Sequence, residues 1–188
     1  QHNLGICYNE GQGVEKNAEA SAMWCGKAAE QGYAQAQTIL GVFFQHGTGV
    51  KQNYETAVHW YTKAAAQGHP EGQCNLGVCF EKGRGVEKNA TTAVHWYSKA
   101  AAQGHPHGLY FLGNCYDKGT GVKQNYETGV RWYTKAAEQG DAAAQCNLGG
   151  CFYEGTGVEK NATTAVHWYS KAADQEHASA QYNLGICF

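Results

Sequence analysis

The chain repeats itself every 36 residues, and few folds are compatible with that. The dipeptide Leu-Gly begins at Leu4, Leu40, Leu76, Leu112, Leu148 and Leu184, each 36 positions after the last. Trp24, Trp60, Trp96, Trp132 and Trp168 keep the same spacing. So do the Gly-x-Gly-Val turns opened by Gly11, Gly47, Gly83, Gly119 and Gly155, and Lys-Ala-Ala at Lys27, Lys63, Lys99, Lys135 and Lys171. A fixed period of about 20 to 50 residues marks a solenoid or related array, in which each unit buries its apolar face against its neighbours. The 188 residues hold five full periods and part of a sixth.

Each period reads as two helices. In the third, residues 70–82 place Gly72, Leu76, Cys79 and Phe80 at spacings of four and three, the stripe of an amphipathic helix. Gly83 to Val86 interrupts it, because paired glycines favour a turn. Asn89 then caps a second helix whose apolar stripe is Ala93, Trp96, Tyr97, Ala100 and Ala101. Gly104 ends that helix and His105-Pro106 opens the next unit. Gly77 beside Leu76 lets paired helices approach closely. The expected fold is all-α: a right-handed α/α solenoid of helix-turn-helix units, one continuous array over 1–188 with boundaries near residues 33, 69, 105, 141 and 177. Gln1 to Tyr8 and Ala178 to Phe188 are both pieces of a first helix, so a fragment of a longer repeat protein is expected.

A second period lies above the first. Val86 to Ala101 is identical to Val158 to Ala173, while Gly47 to Thr56 matches Gly119 to Thr128. The array therefore reads as a duplicated 72-residue block. A feature seen twice at that distance counts as one observation.

Composition excludes several functions. A formal charge of −2, from 14 basic and 16 acidic residues, leaves no electrostatic footprint for nucleic acid. No apolar run approaches the roughly 18 to 20 residues of a membrane span, so no membrane insertion is expected. With 25 glycines and two prolines, the glycine belongs to repeated turns rather than to collagen or disorder.

These motifs resemble the Sel-one-like repeat family, relatives of the tetratricopeptide repeats. The family pattern Ala-x-Ala-Gln-x-x-Leu-Gly-x-x-Tyr, Gly-x-Gly-Val and Ala-x-x-Trp-Tyr-x-Lys-Ala-Ala appears here as Gln145 to Phe152, Gly155 to Val158 and Ala165 to Ala173. Cys25 replaces the aromatic after Trp24, Leu109 replaces the glutamine, and Glu176 replaces the closing glycine. The resemblance covers the whole chain. It implies a non-enzymatic scaffold that binds a protein or peptide partner, with no cofactor. Cysteine-rich relatives place their bridging cysteines elsewhere in the unit.

Variation among the copies indicates where a partner would bind. On each first helix the varying positions lie five, two and one before the leucine and two, five and six after it. At 100° per residue these fall within about 120° of helix surface. Stacked repeats turn such faces toward a concave groove. The expected partner-binding residues are Glu71, Asn75, Val78 and Lys82 in the third unit, His107, Tyr110, Phe111 and Asn114 in the fourth, and Asn147 and Tyr153 in the fifth. Tyr110, Phe111 and Tyr153 would be the aromatic anchors that enrich hot spots. Tyr110 and Phe111 could instead fill a gap between repeats.

The nine histidines do not converge on a metal. His59, His95 and His167 recur a helix-packing distance or more apart, about 10 Å, whereas zinc ligands must meet at about 2 Å from one centre. Solvent-facing and capping roles are expected for them. No nucleophile elbow or phosphate loop is present, so no catalytic residue is assigned.

Of the eight cysteines, Cys7, Cys79, Cys115, Cys151 and Cys187 share a core slot that Phe43 also occupies. Cys74 and Cys146 lie on the variable face, read as exposed. Each is followed by a core-slot cysteine 41 residues on, which raises Cys74–Cys115 and Cys146–Cys187 as disulfide pairs. A five-residue offset, about 7.5 Å along a helix, works against them unless neighbouring helices are staggered. Cys7–Cys25 is a further pairing. Asn89-Ala90-Thr91 and Asn161-Ala162-Thr163 are N-glycosylation sequons at helix starts, although asparagine caps the helix in the other copies too.

Two functions remain from this reading. One is a protein-interaction scaffold using the concave first-helix surface. The other is a structural subunit of a secreted, N-glycosylated fibre, whose partners are further copies of itself end to end. The expected location is the secretory-pathway lumen or outside the cell, with the cytoplasm as the alternative.

Overall fold

The structure, a computed structural model, describes residues 1–187. Among them are eleven α-helices and no strand: α1 (His2–Glu10), α2 (Ala18–Glu30), α3 (Ala34–His46), α4 (Tyr54–Ala66), α5 (Pro70–Lys82), α6 (Ala90–Ala102), α7 (Pro106–Lys118), α8 (Tyr126–Glu138), α9 (Ala142–Glu154), α10 (Ala162–Ala173) and α11 (Ala178–Ile186). This is an all-α solenoid of about 36-residue repeats, each two helices long. No described helix is long and apolar enough to cross a membrane.

Local chemistry sets the helix ends. Asn17, Asn53, Asn89, Asn125 and Asn161 each accept, through Oδ1, the backbone N–H three residues on, at 2.8–3.0 Å. First helices are capped differently: His69, His105 and His177 accept through Nδ1 from Gly72, Gly108 and Ala180, and Asp141 accepts from Ala144. Helices α1, α3, α5, α7 and α9 end on a left-handed glycine, as at Gly47 with φ 74°, whose N–H donates to the Phe43 carbonyl.

The chain forms two compact units, Gln1–Trp96 and Tyr97–Phe188. In the first, α1 packs on α2 and α3 on α4, and α2 and α4 each meet the next first helix, α3 and α5. In the second, α7 pairs with α8 and α9 with α10, and α8 and α10 meet α9 and α11.

The invariant Leu-Gly has a packing cause. Leu40, Leu112 and Leu148 are buried, and the glycine beside each lets a tyrosine ring of the second helix lie against its Cα. A Cβ on Gly41 would sit 2.5 Å from Tyr61 Cε1, one on Gly113 2.6 Å from Tyr133 Cδ1, and one on Gly149 2.7 Å from Tyr169 Cδ1. In the first repeat Cys25 takes the tyrosine's place, its Sγ 2.6 Å from a Cβ on Gly5. The repeat tryptophans are only part-buried. Lys63, Lys135 and Lys171 set their ammonium groups 4.7–4.9 Å from the rings of Trp60, Trp132 and Trp168. His59, His95 and His167 meet the tryptophans edge-on at 5.3 Å. Tyrosine, or Cys25 in the first repeat, therefore lies on the inner side of the second helix and tryptophan on the outer.

Two devices join successive repeats. The second glycine of the turn seats against the start of the preceding second helix: a Cβ on Gly49 would run into the Ala18 carbonyl, and one on Gly85 into that of Tyr54. A buried glutamine then bonds the preceding helix end. Gln37 donates to the Ala29 carbonyl at 3.0 Å, Gln73 to Ala65 at 3.3 Å and Gln145 to Ala137 at 3.0 Å. Gln67 and Gln175 donate in turn to Gln37 and Gln145, both at 2.8 Å.

Candidate functional site

The first helices α7, α9 and α11 line a groove of about 540 Å³ whose floor comes from the second helices. Tyr110, Asn114, Asp117 and Lys118 enter from α7, and Cys146, Asn147, Gly150, Tyr153 and Glu154 from α9. Asn183 and Ile186 close it from α11, while Tyr133 of α8 and Tyr169 of α10 lie beneath. The lining follows from the helical period: Tyr110, Asn114 and Asp117 recur at spacings of four and three, one face of α7.

A hydrogen-bonded network orders the polar part of the floor. The Tyr133 hydroxyl donates to Asn114 Oδ1 at 2.7 Å, and Asn147 Nδ2 donates to the same oxygen at 3.2 Å. Burial drives the Tyr133 phenol well above its ordinary pKa, the charge of Asp117 adds to this, and the contact with Asn147 opposes it. At neutral pH the hydroxyl therefore stays protonated and donates. Asp117 is also raised, first by burial and then by the negative charge of Glu154, while Lys118 acts against both.

The sequence-predicted residues divide. Tyr110, Asn114, Asn147 and Tyr153 line the groove together. Phe111 turns away and stacks on Tyr97, centroids 5.0 Å apart and planes at 18°, so of the two readings for this aromatic pair it fills a packing gap while Tyr110 lines the groove. His107 is exposed, its Nε2 3.8 Å from Asp141 Oδ2. Glu71, Asn75, Val78 and Lys82 lie on α5 in the other compact unit: Glu71 and Lys82 are exposed, Asn75 and Val78 part-buried, and Lys82 pairs with Glu81 at 2.8 Å. Sequence reasoning missed Tyr133, Tyr169 and Asn183. The tyrosines follow each repeat tryptophan by one residue, and the lysine three residues after the tryptophan was the available signal that tryptophan faces outward.

The cysteine reading needs correction. Cys74 and Cys146, taken as exposed, are 3% and 6% exposed. At Cys146 the next first helix supplies the cover: Cys146 packs with Tyr169 and Ala180, and Asn183 Nδ2 lies 3.9 Å from its Sγ. The structure forms neither the Cys74–Cys115 nor the Cys146–Cys187 bridge, and none of its eight cysteines is in a disulfide. Cys187 Sγ instead donates to the Asn183 carbonyl at 3.3 Å. Burial pushes the Cys74 thiol up to about 12 and that of Cys151 to about 11, so neither is a thiolate nucleophile near neutral pH.

Asn89 and Asn161 are exposed, and each uses only Oδ1 in its cap. Among the described residues, no group of three or more His, Cys, Asp or Glu side chains is arranged to hold a metal ion.

Paired helices and a 36-residue period define an α/α repeat protein. The Sel1 repeat profile matches residues 1–33, 34–69, 70–105, 106–141, 142–177 and 178–188. The chain belongs to the Sel1 repeat family. It is similar in structure to a Sel1 repeat protein from Oxalobacter formigenes, 39% identical with a TM-score of 0.92, covering 97% of this chain and 73% of that one. It is also similar to a protective antigen present in uropathogenic Escherichia coli strains that displays an SLR fold, 37% identical with a TM-score of 0.88, covering 98% of this chain and 40% of that one. Helicobacter pylori cysteine rich protein B is 26% identical with a TM-score of 0.55, over 71% of this chain and 96% of that one. Among curated proteins none matches. Sel1 repeat proteins are generally non-catalytic scaffolds that bind protein partners.

Proposed function

We propose that this protein is a non-enzymatic scaffold that holds a protein or peptide partner in the groove formed by α7, α9 and α11. One observation carries the reading: the groove is lined at positions that vary between repeats, over a tyrosine floor that recurs from repeat to repeat. Packing accounts for the recurring residues. It leaves unexplained why the varying ones gather tyrosine and asparagine around one cleft, the residue types that supply rigid contact area and adaptable hydrogen bonds in binding surfaces.

Selection from a random peptide library displayed on phage tests it. Selected peptides should bind the purified chain and lose at least about tenfold in affinity with Tyr110→Ala or Asn147→Ala, as hot-spot positions do. They should be unaffected by Lys63→Ala on the outer face. Peptides indifferent to both groove substitutions would overturn the assignment.

The secretory lumen is the compartment we propose with this function, with N-linked glycans on Asn89 and Asn161. Support comes from the exposure of both sequons and from the Nδ2 that each cap leaves free. Intact mass of protein from a eukaryotic host, before and after deglycosylation, decides: a bare mass favours the cytoplasm.

A further inference from the structure

The fifth repeat departs from the second and fourth at its floor. Tyr61 donates its hydroxyl to Gln45 Oε1 at 3.2 Å, and Tyr133 donates to Asn114 at 2.7 Å. Gly150 stands where Asn114 stands one repeat earlier, and Tyr153 where Gln45 stands three repeats earlier, so neither takes up the hydroxyl of Tyr169. That side chain is 3% exposed, lines the groove, and has no hydrogen-bond partner for its hydroxyl among the described residues. A Cβ on Gly150 would lie 3.6 Å from the Tyr169 oxygen, so the glycine is a window above it. Burial holds the phenol up to about 12, which keeps a donor and an acceptor in place. The oxygen is reached from the groove through that window, so an incoming group replaces solvent on it and gains a fixed hydrogen bond.

One turn before Gly150 on α9, Asn147 is held by its bond to Asn114, leaving its own Oδ1 as an acceptor with no described partner. A hydroxyl donor and a carboxamide acceptor in one groove suit the C=O and N–H of a peptide backbone. A helical partner has already spent those groups on itself, whereas an extended one presents them. Asp117, Lys118 and Glu154 border the same groove; the charge of Lys118 acts on Asp117, but no cationic nitrogen of a described residue lies within 4.0 Å of either carboxylate. The ring of Tyr110 lies in the same lining, and that of Tyr153 already carries the Lys160 ammonium 5.7 Å from its centroid.

We infer that the groove takes an extended peptide segment carrying a lysine or arginine. Tyr169 and Asn147 hydrogen-bond its backbone, and Asp117 and Glu154 receive its cation. The arginine plane or lysine stem lies against the Tyr110 ring. This rests on the scaffold reading above and gives the partner a chemistry.

The test uses the full chain and three libraries of short labelled random peptides. They are identical except for a central position fixed as arginine or lysine, as glutamine, or as glutamate, and fluorescence anisotropy reads binding. The cationic library should bind about tenfold more tightly than the glutamine library, and the glutamate library most weakly. Asp117→Asn combined with Glu154→Gln should abolish that order. Tyr169→Phe keeps the ring and removes the hydroxyl, so it should weaken binding roughly three- to tenfold without lowering the thermal midpoint. N-methylation of the peptide backbone should weaken binding to the wild type and have less effect on Tyr169→Phe.

Equal binding of all three libraries, or wild-type affinity in a folded Tyr169→Phe variant, overturns the inference. If peptides still depend on Tyr110 while showing no charge order, the scaffold reading stands and this one fails. If no library binds, both fail.

Discussion

In the fourth repeat Leu109 fills the slot that Gln145 fills in the fifth. Both are buried, at 2% and 4% exposure. Gln145 donates to the Ala137 carbonyl and accepts from Gln175. Leu109 can do neither, and a cleft of about 290 Å³ opens there, lined by Ala101, Ala102, Gly104, Leu109, Lys135, Glu138 and Gln139. The substitution is tolerated because the carbonyl it abandons is not orphaned. Ala101 still accepts from the Gly104 N–H at 2.9 Å, as Ala137 accepts from Gly140. At the groove the roles reverse: the fourth repeat satisfies its floor tyrosine through Asn114, and the fifth leaves Tyr169 open under Gly150. One scaffold can thus lose a bond at a joint cheaply, whereas an unmet bond at the groove floor marks a place for a ligand.

If the leucine joint is held by packing alone, Leu109→Ala should have the largest effect, a loss of about 3 kcal/mol in urea denaturation. A loss under about 1 kcal/mol would show that the joint collapses around the change. Gly113→Ala and Gly149→Ala probe what the two repeats share. Each puts a Cβ on a buried ring, so each should cost about 2 kcal/mol, and a clear inequality would break the equivalence of the two hairpins. Gln145→Leu transplants the fourth repeat's joint into the fifth and should cost only about 1 kcal/mol, because Ala137 keeps its bond from Gly140. Gly150→Asn transplants the Asn114 cap onto Tyr169. It should change stability by under about 1 kcal/mol while blocking peptide binding, a split that melts and anisotropy together detect. The smallest effect is pH-dependent. Burial and Glu154 raise the Asp117 carboxyl, so the folded state keeps that proton to higher pH than the unfolded chain does. Its stabilising contribution is complete below the ordinary aspartate range and is lost as pH rises through the raised value. Asp117→Asn should therefore raise the thermal midpoint near neutral pH and leave it unchanged in strong acid.

Helix number and ends were legible in the residues, because capping asparagines, left-handed glycines and the three-four apolar stripe act within one or two turns. Four of the groove residues, Tyr110, Asn114, Asn147 and Tyr153, were legible from variation among copies. The errors share one cause. Periodicity gives the angle of a residue on an isolated helix but not what covers it. Cys74 and Cys146 vary as surface residues do and are nevertheless buried, Cys146 beneath α11. Phe111 sits one position from Tyr110 yet faces Tyr97. The two residues of Trp-Tyr look alike in an apolar stripe, and apart from the lysine three residues after the tryptophan only the contacts separate the outer tryptophan from the inner tyrosine.

The sequence by itself determined the repeat, the paired helices and the family, since a 36-residue period with caps at fixed positions admits one kind of stacking unit. Tertiary structure alone decided which cysteines are buried, which aromatic of each pair faces the groove, and that the Tyr169 hydroxyl lies open beneath Gly150. Those outcomes depend on side chains brought together from helices about 20 to 40 residues apart, and no local pattern encodes which of them meet.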